Sequence, residues 1–298
     1  MAVLLPVEGS NTPTPPLVLS DKLTYPTSLH PSLSSILKLS INSKTSEPYL
    51  PLSKHELLLT PSRQSDVPHR VKLHNDPTVS PFMYSPPNPY LPQHADEYFR
   101  GLRKTEEEII GQSLKEGKAS GCPLSVIRMR NLRTTPTNPS STTGESEAFL
   151  GENKNTTNND NHVTDSEEED VFIGVLQVYR EDSFLEIAEG PEREAAISKN
   201  MSLPTGDPTI IYTWYFLLSP QYTGKGYMTL VLKELRDEWL VPVLGARVIE
   251  AQAFSDNPGS EGVHLKLGFK ETGETELRMP EDRGGMLRME RCFRWEKA

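Results

Sequence analysis

The sequence is poor in cysteine: Cys122 and Cys292 are its only two. Two thiols cannot build a disulfide framework or a cysteine-rich zinc site, so a reducing compartment fits. No apolar run approaches the ~18 residues that a membrane helix needs. The opening "MAVLLPVEGSNTPTPP" has neither a basic leading region nor a long apolar stretch, so no secretory signal is expected. A basic stripe is missing too. Lys and Arg number 31 against 41 Asp and Glu, a formal charge of −10. Nucleic acid requires clustered cations to neutralise phosphate, and is therefore excluded as the main partner. The acidic balance suits a cationic ligand such as an amine, or simply keeps the chain in solution. A cytoplasmic protein without a membrane partner is expected.

Apolar residues are also scarce, at 35%, while prolines number 26. Part of the 298-residue chain is thus expected to remain outside a packed core. Residues 1–52, with "NTPTPP" and "YPTSLHPSLSS", read as a flexible Pro/Ser-rich tail. Residues 53–298 read as one domain. A polar stretch at about 134–170, ending in the acidic run Asp165–Asp170, reads as a disordered insertion inside a hairpin. That run either recruits basic substrates or is a solvated loop.

What is present has clear periodicity. "HELLLT", 55–60, predicts a short strand, with a short helix after it. "QHADEYFRGLRKTEEEIIGQSL" carries Tyr98, Phe99, Leu102, Ile109, Ile110 and Leu114 on a helical stripe. "PLSVIRMRNL" and "VFIGVLQVYR" predict strands on either side of the insertion. "TIIYTWYFLL", 209–218, is apolar nearly throughout and suits a strand covered on both faces. Tyr227, Val231, Leu235 and Trp239 then recur at helical spacing. A strand at 247–254, a short helix in "NPGSEGVHLKL" and a closing antiparallel pair, "FKETGETEL" with "MLRMERCFRWE", complete the chain. The expected fold class is α/β, a mixed and mostly antiparallel central sheet flanked by helices.

Chemistry concentrates around "SPQYTGKGYM". Glycines permit a tight turn and expose N–H groups, and the first turn of the following helix has free donors at a positive dipole end. Together these make an anion site, commonly for phosphate. The turn matches neither the Walker pattern nor the dinucleotide fingerprint. Alone it is also compatible with a purely structural turn.

The turn, followed some thirty residues later by "NPGSEGVHLKLGF", resembles the GNAT superfamily of acyl-CoA-dependent N-acetyltransferases. The nearest branch is that of the ribosomal-protein N-acetyltransferases, which pairs a "GKGYM"-like turn with an "N-x-x-S" helix ending in "KLGF". The resemblance covers about 55–298 apart from the insertion. It implies acetyl-CoA as co-substrate and an amine acceptor, either a small molecule or a protein N-terminus. Gln221, Gly224 and Gly226 meet the fixed positions of the family's pyrophosphate loop. By resemblance, Tyr222, Thr223, Gly224, Lys225, Gly226, Tyr227 and Met228 would face the pyrophosphate. The strand at 209–218 would splay from that at 247–254, and its backbone at Phe216, Leu217 and Leu218 would pair with pantetheine. Asn257 would reach the pantetheine amides.

Catalytic candidates follow from the same resemblance. Glu250, which shares strand parity with Gln252, is a candidate base, or else an ion-paired glutamate. Some family members carry a base where this chain has Gln252, and others where it has Tyr212. His264 stands where many members have the tyrosine that protonates the leaving thiolate, and is otherwise a packed histidine. Ser260 either contacts CoA or caps a helix. Trp214, Tyr212 and Tyr215 either line an acceptor pocket or belong to the core. A GNAT-like acyl-CoA sensor without catalysis is the alternative reading of the chain.

Overall fold

The computed structural model describes residues 21–54, 56–130 and 170–298. In chain order these form helix α1 (His30–Ile36), strands β1 (Ser40–Ile41), β2 (Pro48–Pro51) and β3 (Leu57–Thr60), and helices α2 (Val67–His74) and α3 (Pro92–Glu116). Strands β4 (Val126–Arg130) and β5 (Asp170–Arg180), helix α4 (Pro191–Ser202), strand β6 (Ile211–Leu218) and helix α5 (Tyr227–Glu234) follow. The chain ends with β7 (Val248–Phe254), α6 (Pro258–Lys266), β8 (Lys270–Arg278) and β9 (Leu287–Glu296). The strands make one sheet in the order β1-β2-β3-β4-β5-β6-β7-β9-β8. Every neighbouring pair is antiparallel except β6 with β7. The fold is therefore mixed α/β with a mostly antiparallel sheet flanked by helices, as the sequence pattern implied.

Each long element has a local cause. In α3, Ala95, Phe99, Leu102, Glu106, Ile110 and Ser113 fall on one face and are buried. The helix stops at Gly117, whose φ of 71° lets its N–H reach the Ser113 carbonyl. The apolar positions four apart after the glycine turn do make a helix, but only its first part is α. Residues Leu235–Leu244 continue as a π-helix containing Pro242. This keeps Val231, Leu235 and Trp239 in the core, each fully buried.

Two regions differ from the sequence expectation. The expected tail, 1–52, is packed over its described part. Leu33, Leu37 and Leu39 are buried in the main core together with Leu23 and Leu52, and Trp239 Nε1 donates to the Leu37 carbonyl at 2.7 Å. Leucines supply apolar surface among the prolines and serines, and burying it holds the segment down. Residues 1–20 of that tail lie outside the described residues, as does the expected insertion except for Asp170. Asp170, the last residue of the acidic run, begins β5 and pairs with Arg63 at 2.5 Å. Helix α4 was not anticipated. Its only buried residue is Asn200, so it offers no apolar stripe to read. The Asn200 amide docks it instead, donating to the Glu181 and Ile211 carbonyls and accepting from the Ile211 N–H, all at 2.9 Å.

Residues 80–88, between α2 and α3, are tied to the turn that joins β8 to β9. Arg283 donates to the carbonyls of Ser80 and Pro86, and Arg288 to that of Pro81. The Asn88 N–H donates to Asp282 at 2.9 Å. Among the described residues, no helix is long and apolar enough to cross a membrane.

Gly174 fixes how closely β5 and β6 approach. A Cβ there would lie 2.4 Å from the Leu217 carbonyl oxygen. Gly174→Ala is therefore expected to destabilise the protein by about 1–3 kcal/mol, read as a fall in the midpoint of urea unfolding. An unchanged midpoint would contradict the close approach.

Candidate functional site: a splayed strand pair and a glycine turn

Strands β6 and β7 pair only at Ile211–Val248, Tyr212–Ile249 and Thr213–Glu250. Past that point each strand stays with its other neighbour: β6 with β5 as far as Leu218–Gly174, and β7 with β9 as far as Phe254–Glu290. The two strands therefore diverge and leave a gap. The Ser219 N–H donates to the Ile173 carbonyl at 2.8 Å, so odd-numbered residues of β6 direct their backbone toward β5. By alternation, Phe216 and Leu218 present N–H and C=O to the gap. An extended amide-bearing ligand can complete such an edge as an added strand.

The gap ends at the glycine turn. Gly224 and Gly226 have φ of 71° and 79°, a region that side chains with a Cβ disfavour. Gly226 is the N-cap of α5, and the first backbone bond within the helix is from Leu230 to the Gly226 carbonyl. The N–H groups of the first turn consequently have no intrahelical acceptors. A cavity of about 1000 Å³ runs from this turn along the gap. Tyr222, Thr223, Gly224, Gly226, Tyr227 and Met228 line one end, Phe216, Leu217 and Leu218 the middle, and residues of α3 and of 82–90 the other end.

Residues 125–270 match the family model described as acetyltransferase (GNAT) domain. The match to a GNAT acetyltransferase domain is thus confined to residues 125–270. The class is that of acyltransferases, and acetyl-CoA is the co-substrate of GNAT enzymes. Among solved structures, a RimL ribosomal L7/L12 α-N-protein acetyltransferase is similar, at 13% identity and a TM-score of 0.50, with 87% of this chain and 99% of that chain covered. Mycobacterium smegmatis RimJ in complex with CoA-disulfide is 16% identical, with a TM-score of 0.46 and coverages of 83% and 86%. The ribosomal-protein-S5-alanine acetyltransferase from Vibrio fischeri is 13% identical, with a TM-score of 0.46 and coverages of 83% and 96%. No curated protein matches the sequence.

Within the GNAT domain, the residues singled out from the sequence separate into two groups. Asn257 and Ser260 line the cavity, and the Asn257 side-chain oxygen caps α6 by accepting from the Ser260 N–H at 3.1 Å. The cap is therefore Asn257, and Ser260 keeps its hydroxyl for other work. Trp214, Tyr215 and Gln252 also line the cavity; Tyr212 is buried away from it. Gln221 is exposed outside the lining, and Lys225 sits with Nζ 5.9 Å from the Tyr222 ring centroid. The Lys225 charge is thus at the rim, outside the lining.

Glu250 and His264 do not reach the cavity. Glu250 lies where β6 and β7 are still paired, 9% exposed, in an ion pair with Arg294. Burial raises its carboxyl above the usual range, with Arg294 opposing. His264 is 1% exposed and packed among the rings of Trp214, Phe216, Phe269 and Phe293. Its Nε2 accepts from Trp214 Nε1 at 3.1 Å. Burial pushes its pKa down to about 4, so the ring is neutral near pH 7 and has little tendency to act as an acid.

A residue that the sequence reading passed over occupies the wall instead. Glu290 of β9 lies directly across from Phe254 at the end of β7 and lines the cavity. Its Oε2 is buried and has no partner among the described residues. Burial pushes its carboxyl up to about 7, with Glu181 adding to the rise and Arg288 opposing it. Glu250, Gln252 and Glu290 share one face of the sheet, because Glu250 pairs with Arg294 and Phe254 with Glu290. Strand parity alone pointed to this face; the register that brings Glu290 to the cavity is set by pairing between distant segments.

The buried histidines give the fold a pH dependence. His264 and His74 are both held near 4, burial being the main cause in each. Free histidine titrates near 6.5, so below that value the unfolded chain binds protons that the native chain refuses. Stability present above about pH 6.5 is expected to decline as pH falls toward about 4. Urea unfolding of wild type and His264→Phe across that range measures it. The variant should show the shallower decline, together with a general loss of about 1–3 kcal/mol from the unpaired Trp214 N–H.

Proposed function

We propose that the protein is an N-acetyltransferase that moves acetyl from acetyl-CoA to a primary amine by direct attack in a ternary complex, with Glu290 as the base. The observation that carries this reading is the buried Oε2 of Glu290, without a partner among the described residues, on the wall of the cavity that the open β6 edge also lines. Backbone donors of the Gly224–Met228 turn would hold the pyrophosphate and the edge at Phe216–Leu218 the pantetheine. Holding both reactants in one cavity supplies much of the acceleration.

In the reaction the neutral amine nitrogen forms a C–N bond to the thioester carbonyl carbon. The carbonyl oxygen gains charge, which the Leu218 N–H on the open edge can stabilise. The C–S bond then breaks and sulfur departs as thiolate. The amine gives up one proton to Glu290, and that loss balances the proton the thiolate takes up. A base with a pKa near the working pH is efficient in both directions of this transfer. Ser260, with its hydroxyl on the cavity wall, is the α6 residue that can contact the sulfur.

The acceptor is a primary amine, of a protein N-terminus or of a small molecule; the similar RimL structure is described as a ribosomal L7/L12 α-N-protein acetyltransferase. The reading is tested by following CoA release from acetyl-CoA with a panel of amines and peptides. The rate is expected to rise about tenfold per pH unit up to about pH 7, where Glu290 becomes deprotonated. Glu290→Gln should lower kcat/KM by about 10²–10⁴ and flatten that limb. An unchanged profile in the variant would remove Glu290 from the mechanism. Tight acetyl-CoA binding with no turnover on any acceptor would favour a non-catalytic sensor, and no binding would overturn both.

A further inference from the structure

Glu181, just past the end of β5, is fully buried. Its Oε1 accepts from the Ser183 N–H at 2.7 Å, from the Ser183 hydroxyl and from the Phe184 N–H at 3.1 Å. Burial works against its ionisation and these donors work for it; the carboxyl is held below the usual carboxylate range. Glu181 is therefore an anion that can only accept. Its Oε2 faces Nε2 of Gln252 at 3.4 Å. That spacing is long for a hydrogen bond, yet the charge settles which way the amide lies. With its two arms exchanged, a carbonyl oxygen would confront a carboxylate. Nε2 is thus turned toward Glu181 and Oε1 away from it, and Oε1 has no partner among the described residues.

Gln252 itself lines the cavity. Glu250 stands in the last pair of β6 with β7, and Gln252 is the next residue on the same sheet face. It is therefore the first side chain of β7 on that face beyond the point where the strands part. Gln252 pairs with Cys292, two residues from Glu290 on β9. Such diagonal neighbours lie roughly 7–8 Å apart along the backbone, within reach of long side chains. A nitrogen hydrogen-bonded to both side chains needs about 6 Å between their oxygens, at about 3 Å per bond. A neutral primary amine brings two hydrogens and a lone pair to that position. The lone pair attacks the thioester carbon, and Glu290 takes one hydrogen as a proton. The other hydrogen stays on nitrogen and leaves on the amide product. Positive charge develops on nitrogen as the C–N bond forms, so an oxygen accepting this second hydrogen binds the transition state more strongly than the free amine.

We propose that Gln252 determines specificity for a primary amine, accepting through Oε1 the hydrogen that the acceptor nitrogen keeps, with Glu181 as the positioning residue that holds the amide in this orientation. The proposal rests on the acetyl-transfer reading above. Gln252 does not titrate, so it holds this hydrogen without removing it. A secondary amine has a single hydrogen, which Glu290 takes, and its second carbon substituent then faces Oε1 and leaves that oxygen without a bond. Amines alkylated on nitrogen, and peptides that begin with proline, are poor acceptors for the same reason.

The test measures CoA release from acetyl-CoA with the fastest primary amine of the panel and with its N-methyl derivative. Wild type is expected to favour the primary amine by about tenfold or more in kcat/KM. Gln252→Met keeps the length of the side chain but offers no comparable acceptor. It should lower kcat/KM for the primary amine about tenfold and shrink the preference by a similar factor. Acetyl-CoA affinity, measured by calorimetry, should be unchanged, which also reports that the variant has folded. Glu181→Gln leaves the two arms of Gln252 free to exchange and should lose part of the preference; added to Gln252→Met, it should lower the preference no further. Equal turnover of the two amines by wild type would overturn the proposal while leaving acetyl transfer standing, and needs no variant to fold. A preference unchanged in Gln252→Met would also overturn it, and one unchanged in Glu181→Gln would remove Glu181 from it. No CoA release with any acceptor of the panel would overturn the acetyl-transfer reading and the role of Gln252 with it.

Discussion

The parting of β6 from β7 after Thr213 and Glu250 is the constraint on which the site depends. Neither strand bends away on its own account. β5 retains β6 to its end, β9 retains β7 to its end, and the right-handed twist of the sheet separates strands that are no longer bonded to each other. The unpaired edge at Phe216 and Leu218, the cavity beside it and the arrival of Glu290 at its wall all follow from that divergence. The glycine turn then needs only to start a helix at the end of the gap for its free N–H groups to face the same space.

Ionisable groups in the interior are sorted by whether they have partners. Arg63, Glu47, Asp170, Arg128 and Asp66 form a satisfied network at one end of the sheet, binding the start of β5 to the segment before α2. Glu106, although buried, is engaged by Ser62 and Ser125. His264 is neutral and enclosed by rings, with Nε2 engaged by Trp214 and Nδ1 without a partner among the described residues. Against that background Glu290 stands out, because its buried, unpartnered Oε2 belongs to a side chain on the cavity wall. A buried carboxylate oxygen left unsatisfied in such a place calls for a functional reason.

The strands and helices with strong apolar patterning were legible in the sequence, because burial on one face is written into the order of residues. So was the turn: the two residues that adopt positive φ are its two glycines. Helix α4 was not legible, since a polar asparagine holds it instead of an apolar stripe. The packing of residues 21–52 was obscured because leucines within proline- and serine-rich sequence give little period to detect. Glu250 and Glu290 show the limit most plainly. Both lie on one sheet face, but which of them reaches the cavity depends on where β6 and β7 separate and on the register between β7 and β9. Those are facts of long-range pairing that no local window contains. For His264, which the sequence left as a catalytic acid or a packed histidine, the burial shown here is that of a packed one; a helix position that fits a family motif carries no record of the four aromatic rings that enclose it.

Arg283 and Arg288 hold the segment 80–88 through the carbonyls of Ser80, Pro81 and Pro86. Two side chains of the same stretch add to that hold: Met83 is buried against Leu73, Val126 and Phe172 and accepts from the Tyr215 hydroxyl, and the Phe82 ring lies under the Arg288 guanidinium. Tyr84, Ser85 and Pro87 line the cavity without such a role, so a change of cavity chemistry at these three positions leaves the backbone anchors in place.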